Sequence, residues 1–183
     1  MPITAETYER IALEDPEGRW ELHRGRLRGK PGMSFAHNQT IDRLSGQFYR
    51  QLDISLYAIR INHGHVNRTD ETYYIPDLFV VPLGLDNQDW TLRNVLETYG
   101  QPLPLVVEVW SPSTGGYDVD AKFPEYQRRG DIEIWRIHPF DRVLTAWRRQ
   151  PSGEYAVLEY RDGTVEPVAL PGVKIDLDAL FAR

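Results

Sequence analysis

Two carboxylates stand where apolar side chains are expected. Leu105-Val106-Val107-Glu108-Val109-Trp110 is a short β-branched run closed by Ser111-Pro112-Ser113, the pattern of a strand covered on both faces. A glutamate in such a strand is almost never fully buried without a partner, because removing a bare carboxylate from water is costly. Tyr74-Ile75-Pro76-Asp77-Leu78-Phe79-Val80-Val81 is a second apolar run with a single acid in it. Pro76 has no N–H for a ladder, so it marks a strand start or edge with Asp77 just inside. One acid at an apolar position on each of two core strands suggests a carboxylate pair for a hard metal ion, and magnesium (or manganese) suits such oxygen ligands. Such an ion polarises a phosphoryl oxygen and makes hydroxide from bound water. A lysine nearby stabilises the charge that grows on a pentavalent phosphorus or positions the attacking water. Lys122, in the segment directly after the Glu108 strand, is the candidate. Each residue also has a plainer reading: Asp77 as a strand cap, Glu108 in a structural ion pair with an arginine, Lys122 as a solvated helix lysine.

The elements that must hold these residues can be read from caps, turns and periodicity. Thr4 caps a first helix through about Leu13, and Trp20-Glu21-Leu22-His23 with Arg26-Leu27-Arg28 forms a hairpin around Arg24-Gly25. Ser34 caps a longer helix from about Phe35 to Leu52, with His37, Ile41, Leu44 and Phe48 on one face and Asp42, Arg43, Gln47 and Arg50 elsewhere. Leu56 to Asn62 is a strand, His63-Gly64-His65 a turn, and a loop follows through Glu71. The spacing of Leu92, Val95, Leu96 and Tyr99 predicts a helix from Asp89 to Tyr99. After the Glu108 strand comes a helix that Gly130 ends, and Pro124 predicts that it begins around Asp120 or kinks. Strands over 132–137, 143–148 and 155–160 and a short helix around Leu177 to Phe181 complete the chain. The region 132–148 reads as an exposed sheet edge. The pattern is that of a mixed α/β or α+β fold on a central sheet.

Composition narrows the classes. At 183 residues the chain is long enough for one domain, 1–183, with a real core. With no cysteine there is no disulfide frame, thiol nucleophile or zinc–thiolate site. No apolar run is long enough to span a membrane and no signal-peptide core opens the chain, so no membrane partner and a cytoplasmic location are expected. The net charge of −6 is not the basic footprint of a nucleic-acid binder. The basic residues cluster, however, at Arg19, Arg24, Arg26, Arg28 and Lys30 and at Lys122, Arg128 and Arg129; taken alone, such clusters are solvated surface.

Pro76-Asp77, then Val107-Glu108-Val109 with Ser111-Pro112-Ser113, then Asp118, Lys122, Tyr126, Gly130 and Glu133-Ile134-Trp135 resemble the Uma-type family of restriction endonucleases, a branch of the PD-(D/E)XK nuclease superfamily. Trp20-Glu21-Leu22 with Gly25 resembles that family's N-terminal hairpin, and His37 the histidine that opens its long helix. The order holds across nearly the whole chain, and Trp110 stands where the wider superfamily has its lysine. The resemblance implies a restriction-endonuclease-like fold, a central mixed sheet flanked by helices. It also implies magnesium-dependent cleavage of DNA phosphodiester bonds by Asp77, Glu108 and Lys122, with Asp77 and Glu108 as metal ligands, and a twofold homodimer. Glu21 is then either a site-lining acid or a cross-strand surface one, and His37 either site-lining or a hydrogen-bonded core histidine. The competing expectation is a catalytically inactive nuclease-fold module that binds nucleic acid or a protein partner; a third is a metal-dependent phosphoesterase acting on a small nucleotide.

Overall fold

The computed structural model describes residues 2–85 and 94–182. In chain order these form α1 (Ala5–Glu14), a 3₁₀ turn (Pro16–Gly18), β1 (Trp20–His23), β2 (Arg26–Gly29), α2 (Phe35–Tyr49), β3 (Tyr57–Ile61), β4 (His65–Thr69), β5 (Thr72–Tyr74), β6 (Leu78–Pro82), β7 (Thr98–Tyr99) and β8 (Leu105–Val109). A continuous helical run, α3, follows as Gly115–Tyr117, Asp118–Lys122 and Phe123–Arg129. Then come β9 (Glu133–His138), β10 (Val143–Arg149), β11 (Tyr155–Tyr160), β12 (Thr164–Val165), β13 (Ile175–Asp176) and α4 (Leu177–Leu180). The architecture is α+β, with a mixed six-stranded sheet in the order β11-β10-β9-β8-β6-β3, in which only β8 and β9 run parallel.

The pattern of the sequence does not predict the second sheet, in the order β2-β1-β5-β4-β7. The apolar run 74–81 reads as one strand, but Pro76 divides it between the two sheets: β5 belongs to the smaller sheet and β6 to the larger. Pro76 has no N–H, and the Ile75 N–H leaves the ladder to bond Glu21 Oε1 at 2.9 Å. Asp77 therefore lies in the crossing between sheets, one residue before β6. β4 reads as loop in the sequence because His65-Val66-Asn67-Arg68-Thr69 contains a single large apolar residue, too few for a period-two signal. Of the helix expected over 89–99, residues 89–93 lie outside the described ones, and 94–99 form a turn, extended chain and β7 instead.

The pleat sorts the core. On β8, Leu105, Val107 and Val109 join Ile41, Leu44 and Phe48 of α2 in one cluster, while Val106 joins Phe79, Phe123, Tyr126 and Ile134 in another. Alternation puts Glu108 on the Val106 side, towards α3. α2 is held at its start by Ser34 Oγ, which accepts the His37 N–H at 3.3 Å. Gln47 is not on a solvent face: its amide brackets Asp176 of β13, donating at 3.0 Å and accepting at 2.7 Å, and Gln51 does the same one turn later with Lys174. The stretch 132–148 is not an edge either, since β9 and β10 are interior and β11 is the outer strand. Among the described residues no helix is long and apolar enough to cross a membrane.

Leu44 is fully buried between α2 and the sheet. Leu44→Ala is expected to cost about 2–5 kcal/mol; chemical denaturation giving a loss well below 1 kcal/mol would show that this face of α2 does not carry the core.

Candidate active site

Five segments deliver charged side chains to one interior point. β1 supplies Glu21 through a hairpin whose turn residues, Arg24 (φ 49°) and Gly25 (φ 73°), are both left-handed, as the tight two-residue turn requires. The crossing before β6 supplies Asp77 and β8 supplies Glu108; because Leu78 pairs with Val107, these two acids occupy the next positions along the pair. α3 supplies Asp118 and Lys122. α2 supplies His37.

The helix does not start at Asp120. It begins at Gly115, and its irregularity is a π turn over Asp118–Lys122, in which the Phe123 N–H reaches back five residues to the Asp118 carbonyl. That wide turn lets Pro124 enter in the first turn of the α segment that follows, where its missing N–H is tolerated. Asp118 and Lys122 both sit on the π turn. Trp110 anchors the start of the same helix: a Cβ on Gly115 would lie 2.1 Å from Trp110 Nε1, so only glycine allows this approach. On its other side Trp110 stacks on His138 at 4.2 Å.

Lys122 Nζ lies 2.9 Å from Glu21 Oε1, 3.2 Å from Glu108 Oε1 and 3.5 Å from Asp118 Oδ1. Tyr126 Oη donates to Glu108 Oε1 at 2.6 Å. Asp77 is held separately: its Oδ2 accepts His37 Nε2–H at 2.9 Å and the Val109 N–H at 2.7 Å, and its Oδ1 lies 2.7 Å from Lys30 Nζ. Glu21, Asp77, Asp118 and Lys122 are each 2% exposed and Glu108 is 1% exposed, so the whole group is closed off from water. All five residues singled out in the sequence are thus brought together, with Glu21 buried against Lys122 rather than on the surface. His37 is a buried, hydrogen-bonded histidine whose partner is Asp77.

Sequence reasoning misses Lys30, which falls in a basic stretch of solvated appearance and is in fact buried against Asp77. Nothing in the local pattern separates it from Arg24, Arg26 and Arg28. Asp118 and Tyr126 carry a usable signal, an acid four residues before the lysine and a tyrosine four after it, on the helical spacing that makes them neighbours.

The charges lean on one another. Burial works against ionisation of Asp77, but the Lys30 ammonium and the His37 hydrogen bond outweigh it and hold the carboxyl well below the usual carboxylate range. Burial raises Glu108 well above its ordinary value; Lys122 opposes this, while Asp118 and Asp77 add to it. Asp118 is raised by burial in the same way. Burial works against the charge on Lys122 too, yet Glu108, Glu21 and Asp118 together raise its pKa well above that of a free lysine.

A hard cation matches the donor chemistry. The donors are carboxylate oxygens, and Asp77 Oδ1 and Asp118 Oδ1 are buried without a directed hydrogen bond. Among the described residues no group of three or more His, Cys, Asp or Glu side chains is spaced to hold an ion, but magnesium needs only one or two protein carboxylates and completes its shell with water and phosphate oxygens.

A family model described as "Putative restriction endonuclease", Uma2, matches residues 5–178. The chain belongs to the Uma2 family. No curated protein matches it. Among solved structures, it superposes on a protein of Anabaena variabilis ATCC 29413, described as "a putative nuclease belonging to DUF820", with a TM-score of 0.78 at 17% identity, covering 99% of this chain and 98% of that one. At this identity the likeness speaks for the fold alone, which the two chains share over nearly their whole lengths. The Uma2 match runs from α1 to α4 and so takes in every residue of the buried charge group.

Asp77 sets a testable pH dependence. Its folded pKa is depressed, so its contribution to stability is present above the unfolded value of about 4 and is lost as pH falls through the lower folded value. Asp77→Asn should lose about 3–5 kcal/mol at neutral pH, because it leaves the Lys30 ammonium buried without its counter-charge. The variant should also show a flatter acid limb. Denaturation measured from neutral to acid pH tests both; an unchanged acid limb would show that Asp77 is not the group responsible.

Proposed function

We propose that this chain is a magnesium- or manganese-dependent endonuclease that hydrolyses DNA phosphodiester bonds, with Asp77 and Glu108 as metal ligands and Lys122 assisting. The observation that carries the proposal is the gathering of Glu21, Glu108 and Asp118 around Lys122 Nζ, at 2.9, 3.2 and 3.5 Å, beside the strand that Asp77 precedes. Membership of the Uma2 family and the likeness to the Anabaena protein support it, since both descriptions name a nuclease. A bound divalent ion supplies a Lewis acid for a phosphoryl oxygen and a water of lowered pKa. Lys122 carries a fixed positive charge to the same point, where negative charge grows as the phosphorus becomes five-coordinate. Tyr126 and Glu21 keep Glu108 and Lys122 in place, and His37 aims Asp77. Cutting both strands of a duplex calls for two such sites, which a twofold homodimer supplies.

One observation favours a second reading. The acids are already matched by buried lysines, as in a retained fold that binds a partner without catalysing. Incubating purified protein with supercoiled and single-stranded DNA and magnesium or manganese separates the two. Under the nuclease reading, Asp77→Ala and Glu108→Ala abolish both cleavage and calorimetric ion binding. Lys122→Ala retains ion binding and cleaves about 10²–10³-fold more slowly. Intact DNA with every protein would leave the binding module. Sedimentation of the same samples reads the homodimer directly.

The DNA path is proposed to cross the groove where Arg24, Arg68 and Arg128 stand among Thr69, Asp70, Glu71, Thr72 and Glu125. With a net charge of −6, affinity must come from such local clusters. Arg24→Ala and Arg128→Ala should each weaken binding at all sequences and lower the salt slope by about one unit; fluorescence titrations at several salt concentrations with no change in slope would move the path elsewhere.

A further inference from the structure

Lys30 lies outside the motifs that define this site, yet it ends beside one of its acids. It follows β2 at the end of the hairpin, and its N–H bonds the Arg19 carbonyl at 3.0 Å. Its side chain is 2% exposed and turns inward. The ammonium donates to the Ile75 carbonyl at 2.8 Å and to Asn62 Oδ1 at 3.0 Å, and its charge pairs with Asp77 Oδ1 at 2.7 Å. Two of these oxygens are neutral acceptors, from Ile75 two residues before Asp77 and from Asn62, whose own N–H bonds the Asp77 carbonyl at 3.0 Å, so the ammonium has two acceptors besides the carboxylate.

The two oxygens of Asp77 are therefore not equivalent. Oδ2 is saturated by His37 and by the Val109 N–H. Oδ1 has no directed hydrogen bond and lies 2.7 Å from the Lys30 ammonium. A cation that uses Asp77 as a ligand must come to Oδ1, and there it meets a positive charge already in position. Lys122 does not share this role, because its partners are Glu21, Glu108 and Asp118.

We infer that Lys30 is a tethered competitor for the metal position on Asp77: it occupies the place beside Oδ1 that an ion would take, and it sets the concentration of divalent ion needed to load the site. The inference rests on the two-carboxylate reading proposed above. It makes Lys30 a positioning residue, acting on the ion through Asp77. A purely structural lysine predicts the opposite sign on removal, since a loosened Asp77 binds ions less well.

Calorimetric titration of manganese into wild type, Lys30→Met and Asn62→Gly tests it without DNA. Lys30→Met takes away a unit charge next to the ligand oxygen and should tighten binding by more than about tenfold, given the strength of charge–charge repulsion at close range in a protein. It should also melt at a lower temperature without manganese and gain more from manganese than wild type does. Asn62→Gly removes one neutral anchor while suiting the left-handed backbone at that position (φ 55°), and should give an intermediate affinity. If Lys30→Met does not fold, Asn62→Gly decides. Wild type binding manganese while the folded variants bind it no more tightly, or more weakly, overturns the competitor role alone. No binding by wild type or by either variant at millimolar manganese overturns the two-carboxylate reading, and the role of Lys30 with it.

Discussion

Buried charge is the constraint on which this structure turns. Four carboxylates, Glu21, Asp77, Glu108 and Asp118, and two ammonium groups, Lys30 and Lys122, sit within the interior where two sheets and a helix meet. A lone ion there would be very unfavourable, and an ion pair is tolerable only with close geometry and satisfied remaining lone pairs. The surrounding elements supply that satisfaction. Ile75 gives its N–H to Glu21, Val109 gives its N–H to Asp77, and Tyr126 gives its hydroxyl to Glu108. Each donor comes from a different segment, so the charge group can assemble only if the chain folds in one way.

Local geometry explains how segments so far apart in sequence reach one point. Pro76 interrupts the ladder and frees the Ile75 N–H for Glu21 while setting Asp77 at the head of β6. The pleat of β8 sends Val107 to the α2 core and Glu108 to the α3 side. The π turn of α3 accommodates Pro124 and carries Asp118 and Lys122. The Pro76 break and the π turn are departures from regular structure, and both are close to the charges. Such departures cost free energy and persist where the surroundings over-determine them. Here the surroundings are the ion pairs themselves.

The same physics decides what is legible in the sequence and what is not. An acid inside an apolar run violates binary patterning, so Asp77 and Glu108 are conspicuous, and the order of motifs adds Glu21, His37 and Lys122. The hairpin, α1, α2 and the strands 105–109, 143–148 and 155–160 are legible because caps, turn residues and periodicity agree. Lys30 breaks no pattern: a lysine among arginines before Pro31-Gly32 is ordinary loop composition, and its burial depends on Asn62 and Ile75, which are far away in sequence. The division of 74–81 between sheets is hidden for a related reason. Pro76 announces an interruption, but the sheet each half joins is decided by pairing with β1 and with β3 and β8. The bracketing of β13 by Gln47 and Gln51 is likewise a tertiary fact, since glutamines on a helix face read as solvent-exposed.

Electrostatics also joins stability to chemistry. Carboxylates gathered closely enough to share an ion repel one another, and in a buried site that repulsion adds to desolvation in raising the pKa of Glu108 and Asp118. A fold that keeps such acids together without an ion needs internal cations, and two lysines on separate elements meet that need. The division between them matters. Lys122 faces Glu21, Glu108 and Asp118, so its charge stays within the acid group whichever one of those acids is engaged elsewhere. Lys30 faces Asp77 and two neutral oxygens, so it can give up Asp77 and remain hydrogen-bonded to Ile75 and Asn62. An ion that takes Asp77 leaves Lys30 two hydrogen bonds but no counter-charge, whereas Lys122 keeps acids around it whichever one is engaged. The difference between the two lysines follows from which oxygens surround each nitrogen.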